Sequence, residues 1–298
     1  MKSVARMVNV SSRYLRIIRE VFVTASEIRS QPKNCLTSNG FEVVHEFLPQ
    51  DTCSEYIALA QKYLHGYSYI VPAQFYENLA NDSSKCFVHY RSEIKDVNKG
   101  MVQIINAQKL DSRISQLLTT VQKILEERTG EAIHPLGAII QLDQPDTKTK
   151  RRLHTDGTEP GYKAFIYLTD VGSTKDGPYT VIPGSHRHIL RKLINLFYVR
   201  WRTLNWRGEK LNRSDMFGDM LLFYNDEQSL PNLGNAGTMT LTNQLIVHRG
   251  GLNENPRWAL ILHFIPKAYW DGKPFSMWLR EVEMSNNLVP ETLRVSLP

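Results

Sequence analysis

The sequence predicts a mainly β chain, an antiparallel sandwich or barrel with flanking helices. Three observations carry this. After Gly130, short apolar runs alternate with turn signals as far as Phe264. Before Gly130, two segments repeat their apolar residues at helical spacing. Third, hydrophobic residues make up 42% and charged residues 22% of 298 positions, an ordinary globular composition that excludes disorder and collagen-like repeats.

Taken in order, residues 4–22 read as a basic amphipathic helix. Val4, Met7, Val8, Tyr14, Leu15, Ile18, Val21 and Phe22 recur near helical spacing, accompanied by Lys2, Arg6, Arg13, Arg16 and Arg19. Such a helix suits either a membrane interface or its own domain. Gly40 to Phe47 alternates as a strand. Asp51 is positioned to cap a helix running to about Tyr63. A second helix is expected from Asp111 to just before Gly130, with Ile114, Leu117, Leu118, Val121, Ile124 and Leu125 on one face. Strands are expected over 132–142, 162–168, 179–182, 220–224, 237–241, 244–247 and 258–264, with Asp176-Gly177 as a turn.

The net charge of +6 is unevenly spread. Residues 1–33 hold seven basic and two acidic side chains, and residues 187–213 hold eight basic and one acidic. The remainder is therefore mildly acidic, and the two basic segments suit an anionic partner. In 187–213, Phe197, Tyr198, Trp201 and Trp206 are interleaved with Arg200, Arg202 and Arg207. The three cysteines, Cys35, Cys53 and Cys86, form no CxxC pair, which argues against a disulfide scaffold or thiolate zinc site. No apolar run approaches the roughly 20 residues of a membrane span. Arg interrupts the N-terminal apolar residues, unlike a signal peptide. A cytoplasmic setting is expected, with the inner face of the membrane as the docking place if residues 1–33 are interfacial.

The chemistry concentrates in His154-Thr155-Asp156. In extended backbone, residues two apart share a face, so an imidazole and a carboxylate can meet one metal ion. His248 lies 92 residues after Asp156, and Arg257 follows nine later at the start of a strand. Two histidines and one carboxylate make the facial triad of non-haem Fe(II) oxygenases, with positions left for a chelating cosubstrate and dioxygen. A guanidinium on a neighbouring strand suits the distal carboxylate of 2-oxoglutarate. Singly, each residue reads equally as a turn hydrogen bond, a core histidine or a surface ion pair. The ordered set carries the argument.

With these motifs in view, residues 38–266 resemble the phytanoyl-CoA dioxygenase family of Fe(II)/2-oxoglutarate oxygenases. The resemblance rests on Gly40-Phe41-Glu42-Val43-Val44-His45-Glu46-Phe47-Leu48, on His154-Thr155-Asp156, on Tyr167-Leu168-Thr169-Asp170-Val171 and on Asp176-Gly177-Pro178-Tyr179-Thr180-Val181-Ile182-Pro183-Gly184-Ser185-His186, with His248 and Arg257 closing the pattern. It implies a double-stranded β-helix, a cupin-like jelly roll. It implies iron ligation by His154, Asp156 and His248, 2-oxoglutarate binding by Arg257, and a cosubstrate contact by Gln141. Gly250 stands where relatives often carry a serine that helps hold the carboxylate. The Pro-Gly-Ser-His turn is structural in the family, so His186 and His188 are not taken as ligands. Lys163 faces the site or reads equally as a snorkelling surface lysine.

The expected organisation is a basic amphipathic helical segment over 1–37 and an oxygenase domain over 38–298, with 187–213 as a basic aromatic insertion. The expected activity is hydroxylation of an unactivated C–H bond using Fe(II), 2-oxoglutarate and dioxygen. The expected substrate is anionic, with a glycolipid such as the Kdo sugar of lipopolysaccharide as the specific reading. A CoA thioester or a small phosphorylated metabolite satisfies the same charges. A non-catalytic cupin-like binding protein is the alternative from another class, and a divalent-metal hydrolase a third. The residues after His248 do not match the arginine pattern of the nucleic-acid demethylases, which argues against a nucleic-acid partner.

Overall fold

The computed structural model describes residues 31–66, 86–90, 101–145, 152–156, 160–205, 222–270 and 272. The expected helix over 4–22 lies outside them, as does most of the 1–37 segment. Two antiparallel sheets face each other. The large sheet has the strand order β1-β8-β5-β10-β4-β3-β2, and the small one β7-β6-β9. In chain order the strands are β1 (Phe41–Val44), β2 (Phe87–Tyr90), β3 (Met101–Ile105), β4 (Ile133–Asp143), β5 (Tyr162–Tyr167), β6 (Tyr179–Val181), β7 (Leu230–Asn232), β8 (Met239–Asn243), β9 (His248–Gly250) and β10 (Arg257–Pro266). The helices are α1 (Cys35–Asn39), α2 (Gln50–Gly66), α3 (Ser112–Thr129) and α4 (Ile189–Asn205).

Alternation along β10 shows why the large sheet needs cover on both faces. Trp258, Leu260, Leu262 and Phe264 join one core with Tyr56 and Ala60 of α2 and Ile114, Val121 and Leu125 of α3. Ala259 and Ile261 join a second core with Phe165 and Tyr167 of β5 and with Tyr179 and Val181 of the small sheet. Each fully buried large aliphatic contributes about 1.5–3 kcal/mol of burial free energy. The inner row of β10 begins at Arg257 and reaches His263, so polar groups stand toward both ends of an apolar interior.

The helix ends follow from their caps. Asp111 accepts from the Arg113 amide at 2.8 Å and starts α3, which Gly130 ends at φ 72°. Asn34 and Thr37 form a reciprocal capping box on α1, and Gly40 ends it at φ 83°. At Gly237, φ is 91° and an added Cβ would lie 2.0 Å from the Leu48 carbonyl oxygen, so only glycine fits there.

Several expectations need correction. Asp51 lies in the first turn of α2 and is not its cap, because the helix begins at Gln50. Residues 244–247 form a buried turn, not a strand: the Leu245 amide donates to Asn243 Oδ1 and the Ile246 amide to the Asn243 carbonyl. Residues 222–224 of the expected 220–224 strand are irregular, and Phe223 has φ 69°, which extended backbone cannot hold. Strands β2 and β3 were not expected. The start of the basic insertion is helix α4. Among the described residues, no helix is long and apolar enough to cross a membrane.

Candidate metal centre

His154 and His248 are joined through their backbones. The His154 amide donates to the His248 carbonyl at 2.9 Å, and the His248 amide returns the bond at 2.8 Å. Strand β9 places His248 beside β6, while His154 arrives from residues 152–156. Each ring is oriented by a second carbonyl. His154 Nδ1 is 2.8 Å from the Arg152 oxygen, and His248 Nδ1 is 2.9 Å from the Ile246 oxygen. A carbonyl can only accept, so Nδ1 carries the proton on both rings. Nε2 is then the ring nitrogen each histidine can offer to a metal.

Both Nε2 atoms converge on Asp156. His248 Nε2 is 3.2 Å from Oδ2 and His154 Nε2 is 3.8 Å from Oδ1. One ligand atom from each of the three residues lies within 4.8 Å of the others, the only such His/Cys/Asp/Glu group among the described residues. The Asp156 main chain is exposed, but its side chain is only 18% exposed. Burial alone would raise its pKa. Lys163, His248 and His154 outweigh burial and hold it well below the ordinary carboxylate range. The Lys163 ammonium donates to Asp156 Oδ2 at 2.7 Å. Two imidazoles presenting Nε2 and a carboxylate fit a divalent transition metal such as Fe(II).

Arg257 is the second part of the site. It sits opposite Asp143 in the β10–β4 register, and its Nε and Nη2 donate to Asp143 Oδ2 at 3.1 and 2.5 Å. Its Nη1 is buried with no hydrogen-bond partner among the described residues. Gln141 Nε2 donates to the Asp143 carboxylate at 3.0 and 3.1 Å, and Gln103 Nε2 donates to Gln141 Oε1 at 2.9 Å. Arg257 lies 5.5 Å over the Phe165 ring, which stacks on Tyr179 at 5.2 Å, which lies 5.0 Å from the His248 ring. The guanidinium and the histidines therefore share one interior.

All the residues singled out from the sequence, His154, Asp156, His248, Arg257, Gln141 and Lys163, line this interior. Gln141 meets Gln103 and Asp143. Sequence reasoning missed Asp143. The signal was present: it is two residues after Gln141 on an apolar strand, hence on the same face. His186 is not in the metal group. Its Nε2 is 3.0 Å from the Thr37 carbonyl and Nδ1 stands where a Cβ on Gly40 would be, 2.5 Å away. His188 stacks with Tyr224. Of the basic insertion, Arg187 and Arg191 are exposed, and Leu190, Ile194 and Phe197 form an exposed apolar stripe on α4.

No family model matches the chain, and no curated protein matches it. Solved structures do. One is the epimerase SnoN in complex with Fe3+, alpha ketoglutarate and nogalamycin RO, with 15% identity, TM-score 0.51, and coverage of 82% of this chain and 84% of that one. Another is the non-heme alpha ketoglutarate dependent carbocyclase SnoK from nogalamycin biosynthesis, with 14% identity, TM-score 0.52, and coverage of 81% and 83%. At such identity the likeness establishes the fold: the chain is built on the jelly-roll core of these non-haem enzymes.

Proposed function

We propose that the protein is an Fe(II)- and 2-oxoglutarate-dependent oxygenase. One observation carries this reading: two imidazoles and a carboxylate converge in the same interior as a buried guanidinium with an unpartnered Nη1. His154, Asp156 and His248 would hold the iron, and Arg257 would receive the distal carboxylate of the oxo acid. When bound, the iron supplies dioxygen activation coupled to decarboxylation of 2-oxoglutarate to succinate and carbon dioxide. The Arg152 and Ile246 carbonyls hold both rings with Nε2 turned inward, so the imidazoles are oriented before a metal arrives. Phe165 and Tyr179 form an apolar wall between the guanidinium and the histidines.

Hydroxylation is the proposed outcome, within the phytanoyl-CoA dioxygenase-like family that the sequence resembles. The proposed substrate is an anionic amphiphile of the glycolipid kind, the Kdo sugar of lipopolysaccharide being the specific case. The exposed Arg187 and Arg191 beside the apolar stripe of α4 support that chemistry.

The test is anaerobic addition of Fe(II) and 2-oxoglutarate, followed by the weak visible charge-transfer band of the chelate. The band should form with the wild type. Asp156→Ala should abolish it, and Arg257→Ala should raise the 2-oxoglutarate concentration it needs while leaving metal bound. No band from folded, iron-loaded protein would overturn the proposal in favour of a non-catalytic binding protein.

A further inference from the structure

We infer that Asp143 is a built-in counter-charge that positions the cosubstrate anchor and weakens its grip. It rests on the reading that Arg257 receives the distal carboxylate of 2-oxoglutarate. A guanidinium offers a carboxylate two edges, the side formed by Nε and Nη2 and the end formed by Nη1 and Nη2. Asp143 already takes the side edge. An incoming carboxylate must use the Nη1 end.

Asp143 is held there independently of Arg257. Gln141 grips its carboxylate, Gln103 grips Gln141, and Asn253 Nδ2 donates to the Asp143 backbone carbonyl at 2.9 Å. The guanidinium plane is therefore fixed before any ligand arrives. A purely structural ion pair would leave no reason for a buried Nη1 without a partner among the described residues. Strand β9 also leaves its near side open: a methyl group added at Gly250 would meet nothing beyond its chain neighbours closer than Arg257 Nη2, at 3.9 Å. Gly250 shares a face of β9 with His248, so the guanidinium and one of the metal-facing imidazoles border the same face of that strand.

The electrostatic consequence has a definite sign. With Asp143 ionised, the anchor is neutral, and a second carboxylate on the same guanidinium is repelled by the first. Removing the Asp143 charge while keeping its shape should tighten 2-oxoglutarate. An oxo acid with no distal carboxylate should not respond. The price in the ligand-free protein is a buried guanidinium without its counter-ion.

The experiment titrates the anaerobic Fe(II) protein with 2-oxoglutarate and with 2-oxobutyrate, reading the charge-transfer band, and melts the protein with and without 2-oxoglutarate. Asp143→Asn should lower the dissociation constant for 2-oxoglutarate about tenfold or more. It should leave 2-oxobutyrate unchanged. It should also enlarge the melting shift that 2-oxoglutarate produces, because the ligand then replaces a missing counter-charge. Asp143→Ser provides a second charge removal with the same expected sign, and far-UV circular dichroism checks both folds. Unchanged or weaker 2-oxoglutarate binding by a folded variant overturns the inference and leaves Asp143 a structural ion-pair partner, as does failure of both variants to fold. No 2-oxoglutarate binding by the iron-loaded wild type overturns the reading of Arg257, and this inference falls with it.

Discussion

Replacing Lys163 with methionine should make the protein bind divalent metal more tightly. The Lys163 ammonium donates to Asp156 Oδ2 at 2.7 Å, and both side chains are 18% exposed. At an effective dielectric of about 20, two unit charges at that separation attract by roughly 6 kcal/mol before desolvation is counted. Residual solvent contact and the cost of burying both groups reduce the net value to about 1.5–3 kcal/mol. A metal ion must take the carboxylate from Lys163 and then sit against a like charge. Methionine keeps the apolar stem of the side chain, loses its ammonium and removes both penalties. The affinity should therefore rise about tenfold to a hundredfold. Competition against a chromophoric chelator under anaerobic conditions measures it, with Co(II) as a stable probe alongside Fe(II). Equal or weaker binding by a folded Lys163→Met protein would refute the reasoning and make Lys163 a positioning group for Asp156.

Two further outcomes concern stability. Burial pushes the His186 imidazole down to about 4 in the folded protein, against 6.5 for an ordinary histidine, so the unfolded chain binds the extra proton between those values. The neutral ring's contribution is complete above pH 6.5 and shrinks as pH falls toward 4, by about 3 kcal/mol in all. Urea titrations at pH 7, 5.5 and 4 on wild type and His186→Gln should diverge in that window, and parallel behaviour would sink the assignment. Gly237→Ala should cost about 3 kcal/mol or more, since its Cβ would meet the Leu48 carbonyl oxygen at 2.0 Å at a φ of 91°. A urea midpoint within a few tenths molar of wild type would contradict that packing.

The metal ligands were legible because their chemistry is local. His154 and Asp156 share a face by strand alternation alone, and the Nε2 convergence follows once His248 is placed opposite. Helix α3 was equally legible, since Asp111 and Gly130 mark its ends and its apolar period marks its buried face. Other elements depend on distant partners. Strands β2 and β3 exist through the pairing of Phe87 with Ile105 and of Met101 with Asp143, which no local pattern states. The run Leu245-Ile246-Val247 is apolar because it is a turn buried in the interior, and apolarity alone cannot separate that from a strand. Helix α4 was hidden by its charge and by an apolar stripe that faces outward. Asp143 shares its face with Gln141 by alternation, but it falls one residue beyond the strand expected over 132–142, and its role depends on Arg257 lying across from it.

The reciprocal backbone bonds between His154 and His248 separate ligand spacing from loop length. The chain leaves this rung after His154 and returns to it at His248, having built β5 to β8 and α4 on the way. Insertions and deletions in the intervening loops can lengthen the excursion without altering the rung. Evolution can thus remodel those loops while the backbone pairing that sets the two imidazoles side by side stays constant. The same property suits engineering: loop grafts between residues 160 and 205 that respect the strands and α4 and keep Lys163 should spare metal affinity.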